Sequence, residues 1–269
     1  MKYKLFISDY DGTLGVAPKN DIDIETLNAI KRFTELGGVF CVCSGREYSS
    51  IRNICLKTGL KGLLVSFQGA RINDIETGEL LFEGGLNEDL ALLAYNSVKE
   101  FALEPVVYTQ DGFYISKDTS VTAVYEKAVN IKGKLSDPEE AIKRYKRVCK
   151  LGWLGDAEVV NTACEELNKK FNGKGLKFNS GAKGLLEAIN PECSKGHAVR
   201  FLANHYNVPL SQVLTVGDST NDIDLVKGEW QGVAVGDARE ELKAVAKEIT
   251  VPFSKKPIKH LLEKYCLDN

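Results

Sequence analysis

Short apolar runs alternate with amphipathic segments in the first part of the chain, a pattern typical of strands alternating with helices. The first run ends at Ser8, and apolar residues then recur at helical spacing from Ile24 to Leu36, with Asp23 as a candidate N-cap. Further segments predict a strand over 38–43, a helix over 47–57 and a strand over 62–67. This order of elements indicates a parallel sheet with right-handed crossovers.

The pattern changes after Gly69. Two stretches, 71–74 and 79–82, flank a Glu-Thr-Gly turn and predict a hairpin instead of another crossover. The segment that follows mixes predicted helices over 88–101, 138–146 and 157–171 with predicted strands over 106–108 and 113–115. We therefore predict an inserted α+β cap domain over 84–188 and a core domain built from 1–83 and 189–269.

The alternating pattern resumes after Pro191. It predicts helices over 194–206, 221–226 and 238–246, and strands over 213–216, 232–235 and 248–251. The two flanks thus build one sheet around the insertion. We expect an α/β fold with a mainly parallel sheet and an inserted α+β domain.

Composition excludes several classes of function. The 269 residues are 43% hydrophobic and 27% charged, which is typical of a globular protein. A net charge of -2 and a pI near 6.0 argue against nucleic acid or an anionic membrane as partner. The chain lacks the apolar length of a membrane span and meets Asp9 too early for a signal peptide, so we expect a cytoplasmic protein. We expect it to be a monomer or a weak homodimer, although no feature of the sequence predicts a dimer. The seven cysteines are scattered and form no Cys-x-x-Cys pair, and the three histidines have no zinc-binding spacing. We therefore expect catalysis to rest on other groups.

The first apolar run ends at two carboxylates, Asp9 and Asp11, followed by Gly12 and Thr13. Ligands of open α/β sheets bind beyond the carboxyl ends of such strands. Two residues apart in extended chain, both carboxylates leave the same face, and their mutual repulsion favours a bound cation. On its own, however, the motif is equally well explained by an Asp-Gly turn.

Two further segments are suited to binding an anion. Ser44-Gly45-Arg46 follows the second strand, where a hydroxyl and free backbone N–H groups meet at a helix start. Lys195 falls in the first turn of a helix behind Ser194, the end at which the helix dipole disfavours a cation unless an anion is near. In isolation, Ser-Gly is also a common helix start, and a solvent-exposed lysine is the favoured explanation of Lys195.

The segment from Gly217 to Asp222 repeats the order of the first loop, because an apolar strand again runs into carboxylates. Taken alone, it is also an ordinary Asp-rich helix start. Together the loops bring Asp9, Asp11, Asp218 and Asp222 to one edge of the sheet, at a charge density that favours a bound metal. Oxygen ligands alone select a hard cation, and we expect Mg²⁺.

These four segments resemble the motifs of the haloacid dehalogenase superfamily, and within it the Cof-type sugar-phosphate phosphatases. Residues 9–14 are similar to the first motif, 44–46 to the second, 195–196 to the third and 217–222 to the fourth. The resemblance covers the whole chain, and the insertion between the second and third motifs also fits. It implies a Rossmann-like core with a cap domain and a Mg²⁺-dependent phosphatase of small phosphorylated metabolites.

The resemblance also implies a role for each matching residue. Asp9 is the nucleophile that forms an aspartyl-phosphate, and Asp11 is the general acid and base. The Asp9 carboxylate, the Asp11 backbone carbonyl and Asp218 hold Mg²⁺. The other implied site residues are Asn221 and Asp222, which complete or orient the metal site, and Ser44, Gly45, Lys195 and Thr13, which bind the substrate phosphate or steady its loop.

The chain departs from the family pattern at Gln68-Gly69-Ala70, where many relatives have Asn-Gly-Ala. Two alternatives to hydrolysis stay open: a phosphomutase, which returns the phosphoryl group to a sugar, and a catalytically silent phosphate-binding regulator. We expect the insertion to supply the leaving-group pocket. Its polar and aromatic residues, such as Tyr108, Tyr114 and Lys183, do not identify the substrate among hexose phosphates, other phosphorylated polyols and pyridoxal phosphate.

Overall fold

The computed structural model describes residues 1–15, 21–129, 131–180 and 184–267. Its strands, numbered in chain order, are β1 (Leu5–Ser8), β2 (Val39–Cys43), β3 (Leu63–Ser66), β4 (Arg71–Asp74), β5 (Leu80–Glu83), β6 (Leu86–Asn87), β7 (Glu104–Thr109), β8 (Gly112–Ile115), β9 (Lys134–Leu135), β10 (Arg147–Val148), β11 (Lys150–Leu154), β12 (Lys177–Asn179), β13 (Leu185–Ile189), β14 (Val213–Gly217), β15 (Gln231–Ala234) and β16 (Glu248–Ile249). Its α-helices are α1 (Ile24–Glu35), α2 (Tyr48–Thr58), α3 (Glu88–Val98), α4 (Ser120–Val129), α5 (Pro138–Tyr145), α6 (Ala157–Phe171), α7 (Lys195–His205), α8 (Ile223–Val226), α9 (Glu240–Lys243) and α10 (Pro257–Leu262).

The chain divides into two compact units. The first contains Met1–Gly45, Ile51–Leu81 and Ser194–Asn269, and the second contains Arg46–Ser50 and Phe82–Cys193. The predicted insertion over 84–188 falls within the second unit. No helix within the described ranges combines the length and the apolar character needed to cross a membrane.

The first unit is built on a mostly parallel sheet with strand order β16-β15-β14-β1-β2-β3-β4-β5. Strand β1 lies between β14 and β2 and pairs in parallel with both. Its residues are buried, which explains why the strand is a continuous apolar run rather than an alternating one. The α/β fold predicted from the sequence is confirmed, and the carboxyl ends of β14, β1 and β2 lie side by side.

Helix α1 illustrates how local sequence sets an element of this unit. The Asp23 carboxylate accepts hydrogen bonds from the backbone N–H groups of Glu25 and Thr26, at 3.0 and 3.2 Å. This satisfies donors that the first turn leaves unpaired. The buried face of the helix includes Ile30 and Phe33, as the apolar spacing predicts.

The predicted hairpin is also confirmed. Strand β4 pairs antiparallel with β3, and β5 is its other neighbour in the sheet. In the turn between β4 and β5, the Asp74 carboxylate accepts a hydrogen bond of 2.7 Å from the N–H of Thr77, and the N–H of Gly78 donates to the Asp74 carbonyl at 3.0 Å. The hairpin closes the parallel sheet with an antiparallel edge.

The second unit is built on a sheet with strand order β12-β13-β11-β7-β8-β9, antiparallel except between β8 and β9. One face carries Val107, Leu151 and Leu186, which form the core of the unit together with residues of α3, α5 and α6. The opposite face carries Tyr108, Lys150 and Glu187, because side chains alternate along a strand.

Several predicted elements are shorter than expected, and some were missed. The predicted helix over 238–246 is helical only in α9, and the strand over 248–251 only in β16. A 3₁₀ turn, Thr220–Asp222, replaces the start of the helix predicted over 221–226. The elements with no counterpart among the predictions include α4, α10, β11 and β13.

Candidate active site

Asp9 stands directly after β1, at the carboxyl edge of the first unit's sheet. Its backbone N–H donates to the carbonyl of Val216 on the neighbouring strand at 2.9 Å. The chain then turns back tightly, since the N–H groups of Leu14 and Gly15 both donate to the carbonyl of Tyr10, at 2.9 and 2.8 Å. The turn fixes the direction in which the Asp9 carboxylate leaves the strand.

The turn requires glycine at position 12. Gly12 has a φ of +78°, a conformation that disfavours residues with a Cβ atom. A Cβ at this position would also lie 2.5 Å from Oδ2 of Asp218. Gly12 therefore lets the first loop approach the carboxylate of a loop that is distant in sequence.

Lys195 begins helix α7, whose N-cap is Ser194. The lysine is 1% exposed, and its Nζ donates to Oδ1 of Asp9 and to Oδ1 of Asp222, both at 2.6 Å. The solvent-exposed lysine that the sequence also allowed is therefore wrong. Burial disfavours the ammonium, but Asp222 and then Asp9 outweigh burial and hold the pKa of Lys195 well above its usual value.

Asp222 connects this lysine to the loop after β14. The residue is fully buried, and its Oδ2 accepts hydrogen bonds from the N–H groups of Asp218 and Ser219, both at 3.1 Å. Because Oδ1 is bonded to Lys195, both carboxylate oxygens have protein partners. Among the described residues, the Asp218 carboxylate accepts a longer hydrogen bond of 3.3 Å from the hydroxyl of Thr13.

Carboxylate oxygens of Asp9, Asp218 and Asp222 all lie within 4.8 Å of one another. Burial, and next the charge of Asp222, raise the pKa of Asp9 well above its usual value and that of Asp218 to about 7. The negative charge of Asp11 raises both pKa values further. One ammonium group does not balance these carboxylates, so the donor set fits a hard divalent cation such as Mg²⁺.

Ser44 and Gly45 follow β2, next to β1 in the sheet. Gln68, which was not among the predicted site residues, joins this loop to the fourth motif. Its backbone N–H donates to the Ser44 carbonyl at 3.1 Å, and its Oε1 accepts a hydrogen bond of 3.3 Å from the side-chain amide of Asn221. Gln68 has a φ of +63°, and a Cβ on Gly45 would lie 2.4 Å from its Nε2.

The structure thus joins the predicted site residues other than Asp11 into two sets. Thr13, Asp218, Asp222, Lys195 and Asp9 form one continuous chain of side-chain and backbone hydrogen bonds. The other set, Ser44, Gly45 and Asn221, meets at Gln68. The sequence did mark Gln68, because many relatives have Asn at this position. The longer side chain of Gln did not indicate, however, which loops the residue joins. Lys183 lies outside the described residues.

A model of the haloacid dehalogenase-like hydrolases matches residues 6–262. A putative phosphatase of Haemophilus influenzae is 28% identical over an alignment of 268 residues that covers 98% of this chain and 98% of the relative. The HMP-PP phosphatase of Klebsiella pneumoniae is 25% identical over 241 residues, covering 90% of this chain and 87% of the relative.

A solved structure of a sugar phosphatase of haloacid dehalogenase subclass IIB superposes with a TM-score of 0.82 at 17% identity, covering 97% of this chain and 98% of that one. The family match spans all four motifs, and the relatives are named as phosphatases. The chain therefore belongs to the haloacid dehalogenase-like hydrolases and is one of their Cof-type phosphatases.

Proposed function

We propose that this phosphatase hydrolyses small phosphomonoesters, sugar phosphates among them, with Mg²⁺ and through an aspartyl-phosphate on Asp9. The observation that carries the proposal is the position of the Asp9 carboxylate. It is bonded to a buried ammonium at 2.6 Å and crowded by two further carboxylates, so it stands in a site built to balance charge during phosphoryl transfer.

In the first step, a carboxylate oxygen of Asp9 attacks phosphorus and the bond from phosphorus to the leaving oxygen breaks. Asp11 donates a proton to that oxygen, which leaves as an alcohol. In the second step, Asp11 takes a proton from a water molecule whose oxygen attacks the same phosphorus. The bond to Asp9 then breaks and inorganic phosphate leaves, which restores the Asp9 carboxylate. The proton that Asp11 took from water replaces the one it gave to the alcohol, so Asp11 is also back in its starting state.

Asp9, Asp218 and the Asp11 backbone carbonyl would hold the metal. Haloacid dehalogenase-like hydrolases use a divalent cation, and when bound it neutralises phosphate charge. Asp222 is better suited to support than to direct ligation, because its two oxygens are bonded to Lys195 and to two backbone N–H groups. Asn221 supports the loop through Gln68.

The phosphate-binding role falls to Lys195 and to the loop of Ser44 and Gly45, with Thr13 steadying the first turn. A lysine between two carboxylates supplies a positive charge that is already positioned, so little reorganisation is needed when phosphate arrives. The relatives act on sugar phosphates and on HMP-PP by their names, and this supports a small phosphorylated metabolite as substrate.

A phosphate-release screen over a panel of phosphorylated metabolites tests the proposal. We expect release from at least one sugar or polyol phosphate, loss of release with a chelator, and recovery with Mg²⁺. Asp9→Asn should be inactive, whereas the matched variant Asp89→Asn, at an exposed position of α3, should retain activity. Conversion to an isomeric phosphate without phosphate release would instead identify a phosphomutase, and activity of Asp9→Asn would contradict the mechanism.

A further inference from the structure

A short 3₁₀ turn, Phe67–Gly69, follows β3 in the first unit and lies against elements that carry three of the four motifs. The backbone N–H of Gln68 donates to the carbonyl of Ser44 at 3.1 Å, in the loop after β2. The side-chain carboxamide of Gln68 accepts a hydrogen bond of 3.3 Å from Nδ2 of Asn221. Helix α7, which begins at Lys195, also packs against the turn. The turn therefore lies where the second, third and fourth motifs meet.

The backbone conformation of this turn does not favour residues with side chains. Phe67 and Gln68 have φ values of +51° and +63°, in the left-handed region that is costly for residues with a Cβ atom. Such a conformation persists where the surrounding structure fixes it, and both side chains are buried. Local preference would favour glycine at position 68. The glutamine is therefore explained by what its carboxamide contacts.

The same carboxamide explains the glycine at position 45. Gly45 is not among the glycines with a positive φ, so its backbone conformation does not require the absence of a side chain. A Cβ on Gly45 would lie 2.4 Å from Nε2 of Gln68 and 2.8 Å from its Cδ, and the three nearest atoms all belong to this side chain. Each of the two residues thus accounts for the identity of the other.

On the side of Asn221, the carboxamide leads to the charged groups of the site. Asn221 lies in the 3₁₀ turn Thr220–Asp222. The Asp222 carboxylate accepts hydrogen bonds from the backbone N–H of Asp218 at 3.1 Å and from Nζ of Lys195 at 2.6 Å. A shift of this turn would therefore move both the proposed metal ligand Asp218 and the lysine proposed to bind phosphate.

We propose that Gln68 is a positioning residue that couples phosphate binding at the loop of Ser44 and Gly45 to Mg²⁺ binding at the fourth motif. This inference rests on the proposed function. Gln68 contacts both segments, so order imposed on one of them restricts the other through the carboxamide. Coupling between two binding sites is reciprocal, so each ligand should raise the affinity for the other by the same factor. The direct attraction between Mg²⁺ and phosphate adds to the coupling, but it does not depend on Gln68.

Calorimetric titration with inorganic phosphate, in the presence and absence of Mg²⁺, measures the coupling as the ratio of the two phosphate affinities. Gln68→Met keeps the length of the side chain but removes its carboxamide. We expect this variant to lower the ratio by about threefold to tenfold, the effect of one neutral hydrogen bond. The matched variant Gln110→Met, at an exposed glutamine of the second unit, should leave the ratio unchanged.

Gly45→Ala tests the coupling from the other end. The added methyl group would displace the carboxamide, so Mg²⁺ affinity in the absence of phosphate should fall by a similar factor, although position 45 supplies no predicted metal ligand. In a Gln68→Gly background the clash is absent, and the same alanine should cause no further loss of Mg²⁺ affinity. A glycine needed only for the fold would give equal losses in both backgrounds, or none.

Gln68→Gly also replaces Gln68→Met in the phosphate titration if the methionine variant fails to fold, because glycine readily adopts a positive φ. Its control is Asn207→Gly, at an exposed residue whose φ is +52°. Urea unfolding of each variant measures stability separately. Lower stability with an unchanged phosphate ratio would assign Gln68 a structural role alone and would overturn the inference.

A Mg²⁺ affinity of Gly45→Ala equal to that of wild type would also overturn the inference. The same titrations separate it from the proposed function. Wild type that binds Mg²⁺ and phosphate but releases no phosphate from any ester contradicts the proposed function alone. Release of phosphate with an unchanged ratio in the Gln68 variants contradicts the inference alone, and wild type that binds neither Mg²⁺ nor phosphate contradicts both.

Discussion

The two units each bury a lysine, and the surroundings of the two lysines differ in charge. Lys195 in the first unit is bonded to two carboxylates, with that of Asp218 close by. Lys150 in the second unit is paired with the carboxylate of Glu187. The first site has excess negative charge, which suits a metal cation, whereas Lys150 and Glu187 offset each other in charge.

Phosphoryl transfer needs strong, fixed charges around phosphorus. In the metal-free first site, burial and then the charge of Asp222 raise the pKa of Asp9 and of Asp218. The following predictions break or sharpen this contrast, from the largest expected effect to the smallest.

Asp11→Asn should have the largest effect. Loss of the general acid and base is expected to lower kcat by about 10² to 10⁴-fold, and the aspartyl-phosphate should persist because its hydrolysis also needs a base. Rapid-quench measurement of kcat and of bound phosphoryl group checks both parts. Glu187→Gln, which alters the ion pair of the second unit, should show no such accumulation, and accumulation in both variants would erase the contrast between the units.

Removing the lysines compares the two sites directly. Lys195→Met leaves two buried carboxylates without their partner and should lower the free energy of unfolding by about 3 to 5 kcal/mol in metal-free protein. Lys150→Met leaves one carboxylate and should cost less. Urea unfolding with and without Mg²⁺ measures the free energy of unfolding of both variants. We expect Mg²⁺ to restore part of the lost stability only in Lys195→Met. Equal losses of stability in the two variants would contradict the assigned charge balance.

Gly12→Ala and Gly37→Ala distinguish backbone strain from a clash at the site. Both glycines have positive φ, but an added Cβ has no neighbour within 4 Å at Gly37. Each variant should therefore lose about 1 kcal/mol or somewhat more of stability from strain. Only Gly12→Ala should also weaken Mg²⁺ binding, by about tenfold or more, because it displaces Asp218. Calorimetric Mg²⁺ titration checks this, and equal affinities in the two variants would be contrary to expectation.

The smallest effect concerns pH. The pKa of Asp218 is raised to about 7 in metal-free protein, above an ordinary value of about 4 in the unfolded chain. The folded protein therefore binds more protons than the unfolded chain between these values, and its stability should fall as pH rises through about 7. Added Mg²⁺ replaces the proton, so its stabilising effect should grow over the same range.

Thermal unfolding between about pH 5 and pH 8, with chelator and with Mg²⁺, measures both trends. In the presence of chelator, we expect the Tm to fall as the pH rises through this window. A Tm that rises instead would contradict the raised pKa of Asp218. Lys150 and Glu187 balance one another in charge, so the double variant Lys150→Met with Glu187→Leu should show the same dependence of stability on pH. An unchanged pH dependence in this variant would locate its origin in the first unit.

The sequence allowed prediction of the first site because its chemistry stands at the ends of strands. Asp9 and Asp218 each follow a mainly apolar strand, and Lys195 follows the N-cap residue Ser194. The position of each residue in its element therefore agrees with the chemistry of its side chain. Gln68 could not be assigned in the same way. Its φ of +63° and its contact with Asn221, which is 153 residues away, depend on tertiary packing.

The buried ion pair of Lys150 and Glu187 was hidden for a related reason. Strands β11 and β13 were missed, and each contains a charged residue, Lys150 or Glu187, in an otherwise apolar segment. A charge within such a run argues against a buried strand until its partner is known, and here the partner is 37 residues distant. Pairing across the sheet, which no local pattern specifies, makes both strands possible.

The central claim is that Asp9 becomes covalently phosphorylated during turnover. Acid quench of the Asp11→Asn variant with substrate and Mg²⁺, followed by peptide mass spectrometry, tests it directly. We predict one added phosphoryl group on the peptide that contains Asp9, lost on treatment with hydroxylamine and absent when Asp9→Asn is introduced as well. Continued phosphate release by Asp9→Asn, or a phosphoryl group on any other residue, would contradict the account.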